Sequence, residues 1–181
     1  MRVIKYVVYL LITGIGLAGI FIWKKKAELD TSQVIFHYDI NNDNIKTHLV
    51  GKYCKSISSF NTINTDIIGQ KGAIIFLYNG FDCEDCINIG FNMINTINKS
   101  SNQRLVYVVA SMTNIGNDQQ KYSFYSYIQN DHDDIIRKEL KFIPTPLFIC
   151  LDTSCKIVNS YQPYVSDIKG QKRFIEYIIK Q

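Results

Sequence analysis

The sequence predicts an α/β fold, a central mixed sheet flanked by helices, with an N-terminal β extension and an N-terminal transmembrane helix ahead of it. Three observations lead there. Residues 73–78, AIIFLY, are a continuous apolar run of strand length, as a strand buried on both faces requires. Strand-like and helix-like stretches alternate from that run to the end of the chain, a pattern that places helices on the faces of a sheet. Near the start, residues 6–23 are uncharged and mostly apolar.

Taken in order, the apolar start comes first. At 1.5 Å per residue, a helix over residues 6–23 reaches roughly 27 Å, enough for the hydrocarbon core of a bilayer. Trp23 and Lys24, Lys25 and Lys26 suit the interface beyond it. A cleaved signal peptide is the alternative, but its apolar region runs about 7–15 residues and ends at a small-residue site. No such site precedes the lysines. The expected organisation is an anchor over 1–26, a polar linker over 27–33 and a folded domain over 34–181.

The net charge of +4 belongs to that start. Arg2, Lys5 and the three lysines are five of the 20 Lys and Arg, which leaves 15 against 16 Asp and Glu in the rest of the chain. A nearly neutral body lacks the basic footprint that nucleic acid demands, so no nucleic-acid partner is expected. Basic residues on both sides of the apolar run leave its orientation undecided.

Within the domain, VIFHYDI (34–40) and THLVGKY (47–53) read as strands, with a hairpin near residues 41–44. After the strand at 73–78, Ile87, Phe91, Ile94 and Ile97, with Gly90 and Met93 beside them, keep near-3.6 spacing and predict a helix to about Lys99. RLVYVVAS (104–111) is a second buried strand. Residues 117–142 read as mostly helical, broken near QNDHDD, with YSFYSY as a partly buried helix face. TPLFICLD (145–152) and CKIVNSY (155–161) are two strands joined at Thr153 and Ser154. Residues 165–181 close the chain as an amphipathic helix with Ile168, Phe174, Ile175, Ile178 and Ile179 inward.

Cys83 and Cys86 stand where the first buried strand gives way to a helix. Cys83 falls at or near the N-cap, where unpaired N–H groups and the positive end of the helix dipole favour thiolate, the nucleophilic form. Cys86 lies one turn on, placed to attack a mixed disulfide on Cys83. A static disulfide and half of a zinc site are the other uses of such a pair. Zinc would need two further ligands, and His37, His48, His132 and Cys54 are scattered singly.

A CxxC between a buried strand and a helix, followed by β-α-β-β-α and a Thr-Pro opening a later core strand, resembles the thioredoxin fold. The nearest likeness is to membrane-anchored thiol–disulfide oxidoreductases of the TlpA/ResA type, over roughly residues 48–181, with VGKY (50–53) similar to the opening of their domains. The resemblance implies a cis-proline facing the CxxC, whose preceding residue pairs through its backbone with substrate. Thr145 and Pro146 match best, because Asp152 closes the strand six residues after the proline; Pro144 in IPT is the rival. It also implies protein thiols and disulfides as substrates and a separate electron-donor thiol protein. Cysteine is then the only reactive group required, so no cofactor or metal is expected. By analogy the domain faces the periplasmic or extracytoplasmic side of a bacterial cytoplasmic membrane, on a single-pass anchor. A non-catalytic binding module of the same fold, or a copper-delivery protein, is the alternative.

The motif departs from the family in reading FDCEDC, without the flanking aromatic and internal proline of WCxPC. Gly80 stands where peroxidases of this fold carry threonine. Glu84 and Asp85 oppose the helix dipole: a unit charge at 4 Å is worth about 1–4 kcal/mol, the dipole about 0.3–2 kcal/mol. The expectation is a Cys83 thiol of ordinary or mildly activated acidity and a comparatively reducing potential. Cys150 and Cys155 flank a short turn and pair only if it spans four residues. Cys54 is left over.

Overall fold

The structure, a computed structural model, describes residues 42–60, 63, 65–100 and 105–180. The predicted span, the linker and the strand-like stretch 34–40 lie outside them. Among the described residues no helix is long and apolar enough to cross a membrane.

Strand β1 (Ala73–Asn79) is buried at every position, as its unbroken apolar run requires. It pairs in parallel with β2 (Leu105–Ser111) on one side and antiparallel with β4 (Leu147–Leu151) on the other. Strand β3 (Ile128–Asn130) adds to β2 in parallel, and β5 (Ile157–Tyr161) adds to β4 antiparallel, giving the order β3-β2-β1-β4-β5.

Helix α3 (Glu84–Lys99) follows β1 and buries Cys86, Ile87, Gly90, Phe91, Met93, Ile94 and Ile97, the face its spacing predicts. Gly90 is there for contact: a Cβ at this position would strike the Phe76 ring. That ring is itself fixed among Tyr78, Phe91 and Phe148, with centroids 5.8, 5.6 and 4.6 Å away. Helix α6 (Ile168–Lys180) packs Phe174 against Phe148 and Tyr161.

Five expectations give way here. The described residues between 42 and 71 add no strand to the sheet: they hold helix α1 (Asn42–Leu49), a short 3-10 helix (Lys55–Ser59) and helix α2 (Thr65–Lys71). The hairpin and the strand THLVGKY are therefore replaced by α1, whose Ile45 and Leu49 meet the body at i,i+4 spacing. Only the bridge between Tyr53 and Lys156 keeps a β contact among the described residues of this stretch.

The stretch read as mostly helical instead holds α4 (Ile115–Lys121), edge strand β3 and α5 (Ile135–Glu139). YSFYSY is not a helix face; Phe124 is buried, whereas Tyr125 and Tyr127 are 80% and 62% exposed. Ile168 is 72% exposed, because it is the first helical residue after Asp167, whose carboxylate accepts the Gly170 N–H at 2.9 Å. Finally, the β4–β5 turn runs from Asp152 to Lys156, not through Thr153 and Ser154 alone. The Asp152 carboxylate organises it, accepting the N–H groups of Ser154 and Lys156 at 2.8 and 3.0 Å. These bonds, the Ser154 hydroxyl first among them, hold Asp152 below the usual carboxylate range.

Candidate active site

Strand β1 delivers the chain to Asn79, and a tight loop carries it through Gly80, Phe81 and Asp82 into α3. Gly80 passes so close to the end of β2 that a Cβ would collide with the Met112 carbonyl oxygen, and its N–H donates to Ser111 O at 3.1 Å. Cys83 is the N-cap of α3 and its Sγ accepts the Cys86 N–H at 3.3 Å. That donor is one of the helix's otherwise unsatisfied amides, so the backbone itself directs positive charge at the sulfur. Cys83 and Cys86 are disulfide-bonded with Cα atoms 5.2 Å apart. Cys86 is 4% exposed, while Cys83 is half-buried. Cys83 is thus the more accessible residue of the pair and Cys86 is covered.

The residue before Cys83 anchors the loop. The Asp82 carboxylate accepts the Asn79 backbone N–H (2.8 Å), the Asn79 side-chain amide (2.9 Å) and the Thr145 hydroxyl (2.8 Å). Asn79 closes the turn by accepting the Phe81 N–H at 2.8 Å and donating to Thr145 Oγ1 at 2.6 Å. Thr145 precedes Pro146 across a cis peptide bond, so the loop bearing Pro146 is tied to the loop bearing Cys83. Pro144, the rival, carries no cis bond. Burial raises Asp82 above the ordinary carboxylate range of 3.8, although the bonds from Asn79 and Thr145 and the Arg137 charge pull the other way.

Arg137 holds the same proline loop from its other end. Its Nε donates to Ile143 O at 3.1 Å and its guanidinium pairs with Asp134 at 3.0 Å. Neither Asp82, Asn79 nor Arg137 was singled out from sequence. Only Asp134 and Arg137, three apart on one helical turn, carried a local signal. The two acids that were singled out sit outside: Glu84 pairs with Lys121 at 2.9 Å, both well exposed, and Asp85 is exposed.

The remaining sequence candidates lie elsewhere. His48 bonds Lys52 at 2.9 Å and His132 bonds Asn130 at 2.9 Å, both on exposed surface; His37 lies outside the described residues. Cys150 sits in β4 opposite Asn159, so it does not face Cys155. Three large apolar side chains near the site are exposed: Phe81 (83%) in the Cys83 loop, Met112 (62%) beside Gly80, and Phe142 (65%) on the approach to Pro144.

With this geometry in place, similarity to known structures is informative. No family model and no curated protein matches the chain. A secreted Mycobacterium tuberculosis disulfide oxidoreductase homologous to E. coli DsbE superposes with a TM-score of 0.52 at 13% identity, covering 66% of this chain and 88% of that one. MTB dsbF gives 0.51 at 13%, over 64% and 84% of the two chains. A thioredoxin-like protein in its oxidized form gives 0.51 at 14%, over 66% and 86%. The fold is thioredoxin-like.

Proposed function

We propose that this chain is a thiol–disulfide oxidoreductase that exchanges or reduces disulfides of extracytoplasmic proteins, tethered to a bacterial membrane by residues 1–26. The observation that carries the reading is the Cys83–Cys86 disulfide at the N-terminus of α3, with the sulfur of its more accessible residue capped by a helix amide.

In the reducing direction the Cys83 thiolate attacks one sulfur of a substrate disulfide, and the other substrate sulfur leaves as a thiolate. Cys86 then attacks Cys83 Sγ, the substrate's second sulfur departs, and the pair is left as a disulfide. Two electrons pass to the substrate, and a donor thiol protein must return them. The Cys86 N–H supports both the attacking and the leaving charge on Cys83, a role that charge-assisted bonds to backbone amides fill well. The backbone of Thr145, beside Pro146, would align the substrate strand. Phe81, two residues before Cys83 and 83% exposed, offers an apolar contact beside the motif to a polypeptide substrate.

The test is dithiothreitol-driven reduction of insulin by the full chain against its Cys83→Ser variant. The variant should fall to the uncatalysed rate. Equal rates would overturn the reading in favour of a binding module of the same fold.

A further inference from the structure

A second pair of thiols meets on the far side of the β4–β5 hairpin. Tyr53 and Lys156 form an antiparallel bridge. Its flanking hydrogen bonds run from the Ile157 N–H to Lys52 O at 2.8 Å and from the Cys54 N–H to Cys155 O at 3.0 Å. The bond from Cys54 to Cys155 sets the two residues side by side, although no ladder continues past the bridge: the Cys155 N–H turns back to Asp152 O at 3.1 Å. A single backbone N–H···O=C bond keeps the Cα atoms of the residues it joins about 5–6 Å apart, inside the roughly 4.4–6.8 Å that a disulfide spans.

We propose that Cys54 and Cys155 form a second, reversible disulfide that fastens the segment after α1 to the β4–β5 turn. This pair is independent of the chemistry assigned to Cys83. Cys155 stands at φ +61° in a turn built by the Asp152 carboxylate, where its thiol is partly exposed. Cys54 is 1% exposed at the start of the 3-10 helix. The Glu139 carboxylate accepts the Lys55 and Ser56 N–H groups of that helix, both at 2.8 Å. Burial, with Glu139 and Cys155 adding, pushes the Cys54 thiol up to about 12. Burial raises Cys155 too.

These environments set the order of events. The more accessible Cys155 meets the oxidant, a low-molecular-weight or protein disulfide. Its thiolate attacks one sulfur and expels the other as a thiol, and Cys54 then attacks Cys155 Sγ and expels the second. One external disulfide becomes two thiols, and two protein thiols become one disulfide. Burial weakens both thiols as acids and so makes closure slow, because each attack waits on a scarce thiolate.

The test uses the full chain carrying Cys83→Ser and Cys86→Ser, equilibrated with glutathione disulfide, then unfolded, blocked with N-ethylmaleimide, digested and mapped by mass. The expected product joins the peptides of Cys54 and Cys155, with no blocking group on either. Its urea midpoint should rise on oxidation and lose that rise in a chain that also carries Cys155→Ser. Should the serine pair impair folding, the same map of the wild-type chain must show the 54–155 product beside the 83–86 one. Both cysteines blocked, a lasting glutathione adduct on Cys155, or a Cys150–Cys155 product would each overturn the proposal.

Discussion

The hydroxyl of Thr145 donates to the carboxylate of Asp82 at 2.8 Å across 63 positions of sequence. This bond joins the residue before the cis-proline to the residue before the first cysteine, and the side-chain amide of Asn79 bridges both. The two loops that frame the sulfurs are thereby one hydrogen-bonded unit.

Replacing Thr145 with valine keeps the shape and removes that hydroxyl. Asp82 and Asn79 then each lose a partner in a largely buried place. The expected cost is about 1–3 kcal/mol, read as a lower urea midpoint at unchanged slope. Serine at this position should recover most of it. If valine and serine behave alike, the hydroxyl does not hold the loops together.

Asp82 also gives stability a pH dependence with a definite sign. Burial weakens it as an acid in the folded state, raising its pKa above 3.8, so between that value and the raised one the folded chain binds more protons than the unfolded chain. Stability from this group therefore falls as pH rises through the window. Asp82→Asn does not titrate. The difference in unfolding free energy between wild type and Asp82→Asn should move in favour of the variant as pH climbs from below 3.8, and level off above the raised value. Urea titrations across that range measure it; a flat difference, or one moving toward wild type, contradicts the assignment.

The acidity of Cys83 follows from competing neighbours. The helix amides favour thiolate, and three acids, Asp82, Glu84 and Asp85, oppose it. Lys121 offsets Glu84 through their ion pair. In the reduced chain Lys121→Ala should shift Cys83 away from thiolate, because the Glu84 charge then loses its partner. The pH dependence of iodoacetamide alkylation measures that shift, and a Lys121→Ala variant alkylated as fast as wild type, or faster, at low pH contradicts the balance.

Much of the frame was legible because its signals are local. The seven buried positions of β1, the spacing of Ile87, Phe91, Ile94 and Ile97, and the thiols at the helix start each read from a few adjacent residues. Residues 42–49 misled because Val50 and Tyr53 give the stretch a strand-like look, while the helical signal is only two buried side chains, Ile45 and Leu49. Strand β3 is three residues long and sits at the sheet edge, too short for any periodicity. The Asp82–Thr145 bond and the proposed Cys54–Cys155 pairing depend on partners supplied by the fold, and no local pattern marks them.

Gly90 tests the packing directly. Alanine gains about 1 kcal/mol of helix propensity over glycine, but its methyl meets the Phe76 ring, which Tyr78, Phe91 and Phe148 prevent from swinging aside. Overpacking of this kind costs about 1–3 kcal/mol, so Gly90→Ala should be destabilised on balance. Phe76→Leu in the same chain should recover part of the loss in urea unfolding. A more stable Gly90→Ala alone would refute the contact.

The most direct measurement of the central claim is trapping. With Cys86→Ser, the attack on a protein disulfide stops at its first step, so the full chain incubated with insulin should accumulate a covalent adduct through Cys83. Dithiothreitol should release it, and Cys83→Ser should not form it. An adduct through another cysteine, or equal absence in both variants, would contradict Cys83 as the attacking sulfur.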